Sequence, residues 1–203
     1  VAKNVALKAG DAFKVRKDKT WTVNYGGGDI NTLNSNIWVK TYKDGADLVS
    51  FENPGPEELI SCGPAKTKVA IVTCGGLCPG LNNVIRGLVT HLYNRYGVTN
   101  IVGVQYGYAG LNPDLQIPFI DLNPDLVDDI HKDGGSMLAS SRGQQPYEII
   151  VDTLERNNID ILFCVGGGGT LKGAHGIYKE IEKRGLKIAV AGVPKTIDND
   201  INL

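Results

Sequence analysis

Residues 161–165, Ile-Leu-Phe-Cys-Val, empty straight into four glycines and a threonine, Gly166 to Thr170, and then into a segment with helical spacing. A short apolar strand, a glycine turn and a helix start make one unit of an α/β sheet. The same unit suits phosphate. Without Cβ atoms the backbone approaches an anion closely, and the free amides and dipole of a helix N-terminus favour negative charge there. Yet the run holds no carboxylate, although nucleotide phosphates usually arrive with a magnesium ion that wants one.

The unit does not stand alone. Residues 69–72 form a short apolar run, after which Leu81, Val84, Ile85, Leu88, Val89 and Leu92 recur at the spacing of one helical face. Residues 101–104 predict a second strand, and Tyr147, Ile150, Val151 and Leu154 a helix after a long loop. Leu171, Ala174, Tyr178 and Ile181 predict the helix behind the glycines, closed by Lys183, Arg184 and Gly185. Residues 188–191 complete the series as a buried-looking strand. The fold class is therefore α/β, a mainly parallel sheet with helices on both faces and ligands at its C-terminal strand ends.

Residues 1–66 have a different texture, with β-like pieces at 20–23 and 37–42 separated by Gly26 to Gly28 and by Asn-Pro-Gly-Pro at 53–56. They read as an irregular β-containing extension or small lobe, and residues 67–203 as the α/β domain. Gly26 to Gly28 echo the later run but follow no apolar strand, so a turn is expected there. With 21 Lys plus Arg against 22 Asp plus Glu, no global field recruits nucleic acid or an anionic membrane. Any anion is bound locally. Cys62, Cys74, Cys78 and Cys164 are too few and too irregular for a disulfide scaffold, which points to a reducing, cytoplasmic setting. Cys74 and Cys78 have a spacing zinc uses, but His91, His131 and His175 are scattered, and packing thiols are the better reading. No run reaches the length of a membrane span.

In a parallel sheet, the loops after the first, third and fourth of these strands share one edge. The first, residues 73–82, supplies Gly75, Gly76 and Gly80 but matches neither the Rossmann nor the Walker pattern. The second is the glycine run. The third, residues 192–200, presents Lys195, Thr196, Ile197, Asp198 and Asp200 on a proline-stiffened turn. There Asp198 is placed to accept a hydroxyl proton, Asp200 to serve a metal or its waters, and Lys195 to meet phosphate charge. A further loop sets Arg142 among small residues at 134–143, where a guanidinium pairs two phosphate oxygens at any working pH. Tyr108 offers a face to a flat ring, though plain loop packing is the better reading.

Together, Cys-Gly-Gly-Leu-Cys-Pro-Gly-Leu-Asn at 74–82, Gly-Tyr-Ala-Gly-Leu at 107–111, Ser-Ser-Arg-Gly at 140–143, the glycine run and Pro-Lys-Thr-Ile-Asp-Asn-Asp at 194–200 resemble the 6-phosphofructokinases. The match in order and spacing covers about residues 68–203. The resemblance implies transfer of the ATP γ-phosphoryl group to the 1-hydroxyl of fructose 6-phosphate, with Mg2+ as cofactor, in an oligomer that is often a tetramer. Gly75, Gly76, Tyr108, Arg142, Gly143, Gly167, Gly168, Gly169 and Thr170 would hold the donor. Thr196, Ile197 and Asp198 would meet the sugar, with Asp198 as base, Lys195 and Asp200 beside it, and Asp200 toward metal. Pyrophosphate-using members typically carry a second Asp where this chain has Gly169, so glycine there favours ATP. Lys195 is usual in the pyrophosphate enzymes, which stay the alternative, but Gly169 combined with Lys195 looks like the ATP-dependent plant and trypanosomatid branch; glycosome and plastid stay open beside the cytoplasm.

Two departures stand out. The family loop normally reads Gly-Gly-Asp-Gly, so Gly168 stands where the resemblance implies the magnesium-binding Asp. The chain also ends at Leu203, before the lobe that completes the family's sugar-phosphate site. They motivate a second reading, a nucleotide-binding regulatory subunit. A third, a kinase of the NAD-kinase or diacylglycerol-kinase type, shares the glycine loop but does not pair it with the motif at 194–200.

Overall fold

The computed structural model describes residues 63–199 throughout and, before them, the backbone of four short strands. The chain divides into two compact units, Val1–Ile60 and Ser61–Leu203. In the first, β1 (Ala12–Val15) pairs antiparallel with β2 (Trp21–Asn24), and β3 (Ile37–Lys40) with β4 (Val49–Glu52). The expected turns at 26–28 and 53–56 lie outside the described residues.

The second unit is built on a five-stranded sheet, from β5 (Lys68–Cys74), β6 (Asn100–Val104), β7 (Ile120–Leu122), β8 (Ile161–Gly166) and β9 (Ala189–Pro194). Its order is β7-β6-β5-β8-β9. All neighbours are parallel except β7, which runs antiparallel to β6. Alternation along β5 explains why both faces are covered: Val69 and Ile71 join one buried cluster, Ala70, Val72 and Cys74 the other. Helix α1 (Leu81–Tyr96) packs on the first face through Leu81, Ile85 and Val89. The other face is covered by α3 (Tyr147–Arg156) and α4 (Gly168–Arg184), through Ile150, Val151, Leu154, Ala174, Ile177 and Ile181. A short α2 (Pro124–Val127) lies between β7 and the long loop.

Gly185 ends α4 with φ +65 after Lys183 and Arg184, as the sequence predicts. One expectation is corrected. The strand at 188–191 is not buried: in β9, Ala189, Gly192 and Pro194 are exposed and the rest half-buried. The reason is its place at the sheet edge, paired on one side with β8. Strand β7 has no counterpart in the periodicity, because three residues are too few for alternation to register.

Candidate functional site

The chain leaves β5 toward β6 on one side and leaves β8 toward β9 on the other, so the connections diverge between β5 and β8. That divergence is the switch point where open α/β sheets bind ligands, at the C-terminal strand ends. Residues 74–76 and 166–170 meet there.

Helix α4 begins at this point with Gly167 as its N-cap, and no side chain caps its first turn. Its first turn lines the cleft without a side-chain acceptor on the cap, the arrangement that seats an anion. The first glycine of the run has a separate job. A Cβ on Gly166 would fall 2.7 Å from the Cys74 carbonyl and 2.7 Å from Thr170 Cβ, so glycine lets β5, β8 and the first turn of α4 close together. Opposite, Gly75 turns with φ +84, its N–H donating to the Ser141 carbonyl at 3.1 Å. Ser140 Oγ donates back to the Gly75 carbonyl at 2.6 Å.

These bonds belong to a lacing that ties down the loop leading into the exposed Arg142. Thr73 Oγ1 donates to the Ala139 carbonyl at 2.9 Å and lies 2.8 Å from Ser136 Oγ. Ser141 Oγ donates to the Tyr106 carbonyl. Asn82, 3% exposed, donates to the Asp133 carbonyl and accepts from the Met137 N–H. Sequence reasoning named none of these positioning residues individually, although Asn82, Ser140 and Ser141 stand inside the motifs it quoted.

The third loop enters from β9. The Lys195 N–H donates to the Gly166 carbonyl at 2.9 Å, which ties the start of this loop to the end of β8. Its ammonium lies 3.9 Å from where a Cβ would stand on Gly76 and equally 3.9 Å from one on Gly167. An Arg142 guanidinium nitrogen lies 3.9 Å from the same point on Gly76. Two cations thus converge where the glycine loops meet. Ile197 reaches over Gly76 with its Cδ1, although its side chain is 61% exposed.

The cleft so formed has a volume of about 290 Å³. Among the predicted donor residues it is lined by Gly75, Gly76, Tyr108, Arg142, Gly143, Gly167, Gly169 and Thr170, and by Lys195 from the third loop; it adds Cys74, Ser141 and Gln144, which the sequence reading did not assign. Gly168 sits in the first turn of α4 with open space where a side chain would project. Thr196 Oγ1 accepts from the Asp198 N–H at 3.1 Å, and the exposed Asp198 lies on the turn beyond the cleft. Asp200 lies outside the described residues.

Tyr108 is a packing residue more than a platform for a ring. It is 6% exposed, and its hydroxyl donates to the Thr170 carbonyl at 2.8 Å. Its ring lies against Gly173, so it pins α4 to the sheet beside the cleft. Burial raises its phenol pKa well above the ordinary value. Cys74 and Cys164 share the same buried cluster; burial pushes the Cys74 thiol up to about 12 and Cys164 up to about 11, which makes both packing groups and not nucleophiles.

The resemblance to the 6-phosphofructokinases carries the expectation of a divalent metal. The described residues do not fit one held by the protein. The cleft is lined by backbone amides, hydroxyls, an amide, a thiol and two cations, without a carboxylate, whereas magnesium takes hard oxygen ligands and usually one or two carboxylates. No three of His, Cys, Asp and Glu gather anywhere among the described residues as a metal site would need.

Comparison with known proteins accords with this geometry. Residues 68–203 match the family model described as Phosphofructokinase. The ATP-dependent 6-phosphofructokinase of Borreliella burgdorferi is 60% identical over 153 residues, 75% of this chain and 34% of that protein. The ATP-dependent 6-phosphofructokinase 4, chloroplastic, of Arabidopsis thaliana is 50% identical over 153 residues, 75% of this chain and 28% of that protein. Among solved structures, the Pichia pastoris phosphofructokinase in the T-state superposes with a TM-score of 0.59 at 25% identity, covering 81% of this chain and 19% of that one. The chain spans about a third of the length of the first two relatives. Its ordered motifs, its strand order and the cleft at the switch point have one common account, and the chain belongs to the phosphofructokinase family.

Proposed function

We propose that this chain is the donor-binding part of an ATP-dependent 6-phosphofructokinase, which moves the γ-phosphoryl group of ATP to the 1-hydroxyl of fructose 6-phosphate. The observation that carries the reading is the meeting of α4's first turn, the Gly75–Gly76 turn, Arg142 and Lys195 in one cleft, with Thr196 and Asp198 on the turn that leaves it. Phosphoryl transfer needs little covalent help from protein; it needs positioning and positive charge around the moving group. Arg142, Lys195 and the α4 amides supply that charge. Asp198 accepts the hydroxyl proton, the freed oxygen bonds to the γ-phosphorus, and the bond to the bridging oxygen breaks to release ADP.

Gly169 supports ATP over pyrophosphate. Nothing lies within 4 Å of where its Cβ would stand, and the first turn of α4 carries no acidic residue, so the space beyond the terminal phosphates stays open and uncharged.

A coupled assay of the full chain with fructose 6-phosphate and each donor tests the reading. Turnover with ATP is expected, and Asp198→Ser is expected to reduce it about 100-fold or more, as loss of a general base does. Faster turnover with pyrophosphate would overturn the donor assignment. Nucleotide binding without any turnover would favour a regulatory subunit, the reading that Gly168 motivates.

A further inference from the structure

Among the described residues, the cleft brings together two cations and no carboxylate, and this has a consequence for the form of donor it accepts. Among the described residues, the ion pairs lie elsewhere: Arg86 with Asp128, Lys132 with Asp129, Lys183 with Glu180, and Arg184 with Glu180 and Asp152. Lys195 and Arg142 make no ion pair with a described acidic residue, and both point at the space beside Gly76. The first turn of α4 adds a partial positive charge on the same side, with no acidic residue to offset it.

From this arrangement, which rests on the ATP reading above, we infer that the chain binds the donor phosphates through Lys195, Arg142 and the α4 amides without help from a divalent ion, so that metal-free ATP binds at least as well as its magnesium complex. The physics is charge matching at short range. Metal-free ATP is a tetra-anion at neutral pH, and the magnesium complex carries two fewer negative charges. A cleft that offers cations and helix amides favours the more highly charged form. A carboxylate in the cleft would reverse the preference, because it repels the bare tetra-anion and gives the metal a ligand. Position 168 is where such a group would fit, since a Cβ there meets nothing within 4 Å.

Isothermal titration of ATP into the full chain, once with excess EDTA and once with saturating magnesium, reads the inference without relying on turnover. Magnesium is expected to leave Kd within about threefold or to raise it; tightening beyond about threefold would overturn the inference while leaving the functional reading intact. Lys195→Met is expected to weaken metal-free binding about tenfold and binding of the magnesium complex less. Equal weakening of both forms would count against the charge argument. Gly168→Asp is expected to invert the order, so that magnesium tightens binding about tenfold; an unchanged order would show that a carboxylate at 168 does not reach the phosphates. No binding in either buffer, with circular dichroism showing a folded chain, would overturn both the inference and the ATP reading.

Discussion

Replacing Gly173 by alanine sets two opposing effects against each other at one position in α4. Alanine in a helix interior is favoured over glycine by about 1 kcal/mol, because glycine loses more backbone freedom on folding. Against that, a Cβ at 173 would lie 2.7 Å from Tyr108 Cε2 and 3.3 Å from the Tyr108 hydroxyl oxygen. Tyr108 has nowhere easy to go: it is 6% exposed, packed in the cluster that includes Leu154 and Ile177, and its hydroxyl is held by the Thr170 carbonyl at 2.8 Å. Overpacking of this kind costs about 1–3 kcal/mol, and a weakened buried hydrogen bond about 1 kcal/mol more. The clash wins by about 1–3 kcal/mol. At about 3 °C per kcal/mol for a unit of this size, Tm should fall by about 3–9 °C in a thermal melt followed by far-ultraviolet circular dichroism. Gly87→Ala is the control, since that glycine is exposed on α1 with nothing within 4 Å of its Cβ position, and it should raise Tm by about 2–3 °C. Gly176→Ala should fall between them, because the atoms it meets are the far end of the half-buried Tyr147. A rise in Tm for Gly173→Ala equal to that for Gly87→Ala would refute the claim that Tyr108 clamps α4.

Arg142→Lys keeps the charge but loses the two-pronged donor geometry, and should weaken ATP binding about tenfold in a titration; unchanged Kd would mean that Arg142 does not contact phosphate. With the Cys74 thiol pushed up to about 12, only about one molecule in ten thousand carries its thiolate at pH 8. Iodoacetamide followed by mass spectrometry should therefore label the half-buried Cys78 well before Cys74, and equal labelling would contradict the burial. The buried Cys74 and Cys164 thiols make stability fall in alkali. Their ordinary value is 9.0 and their folded values are about 12 and 11, so the unfolded chain releases these protons first and ΔG of unfolding should decline from about pH 9 upward. Denaturant melts from pH 8 to pH 11 measure this, and a flat profile would show that the thiols titrate alike in both states.

Much of the fold was legible in local pattern. The helical spacing from Leu81 to Leu92 predicted α1, and the apolar run before the glycines predicted β8, because a buried face writes its period directly into residue order. The antiparallel β7 was not legible, since Ile120–Leu122 is too short for a period. Nor was the exposure of β9, for a parallel edge strand has the same apolar composition as a buried one and differs only in what lies beside it. In the candidate site the glycines, Arg142 and Lys195 were named from sequence. Tyr108 packs, as its loop position suggested, and Asn82, Ser136 and Ser141 emerged as positioning residues, each with a bond that reaches a distant segment.

The glycine run shows where the boundary falls. Sequence alone determined that a strand empties through glycines into a helix lacking an acidic first turn, and that Gly168 leaves the run without a carboxylate. These are properties of neighbouring residues, and local chemistry sets them. Tertiary structure decided that Gly166 serves packing, that the end of β8 lies beside the end of β5, and that Lys195 and Arg142 converge on Gly76. Those facts follow from strand order and the hydrogen bonds that lace the loops together, which bring together segments far apart in the chain. No local period records which strand will lie beside which.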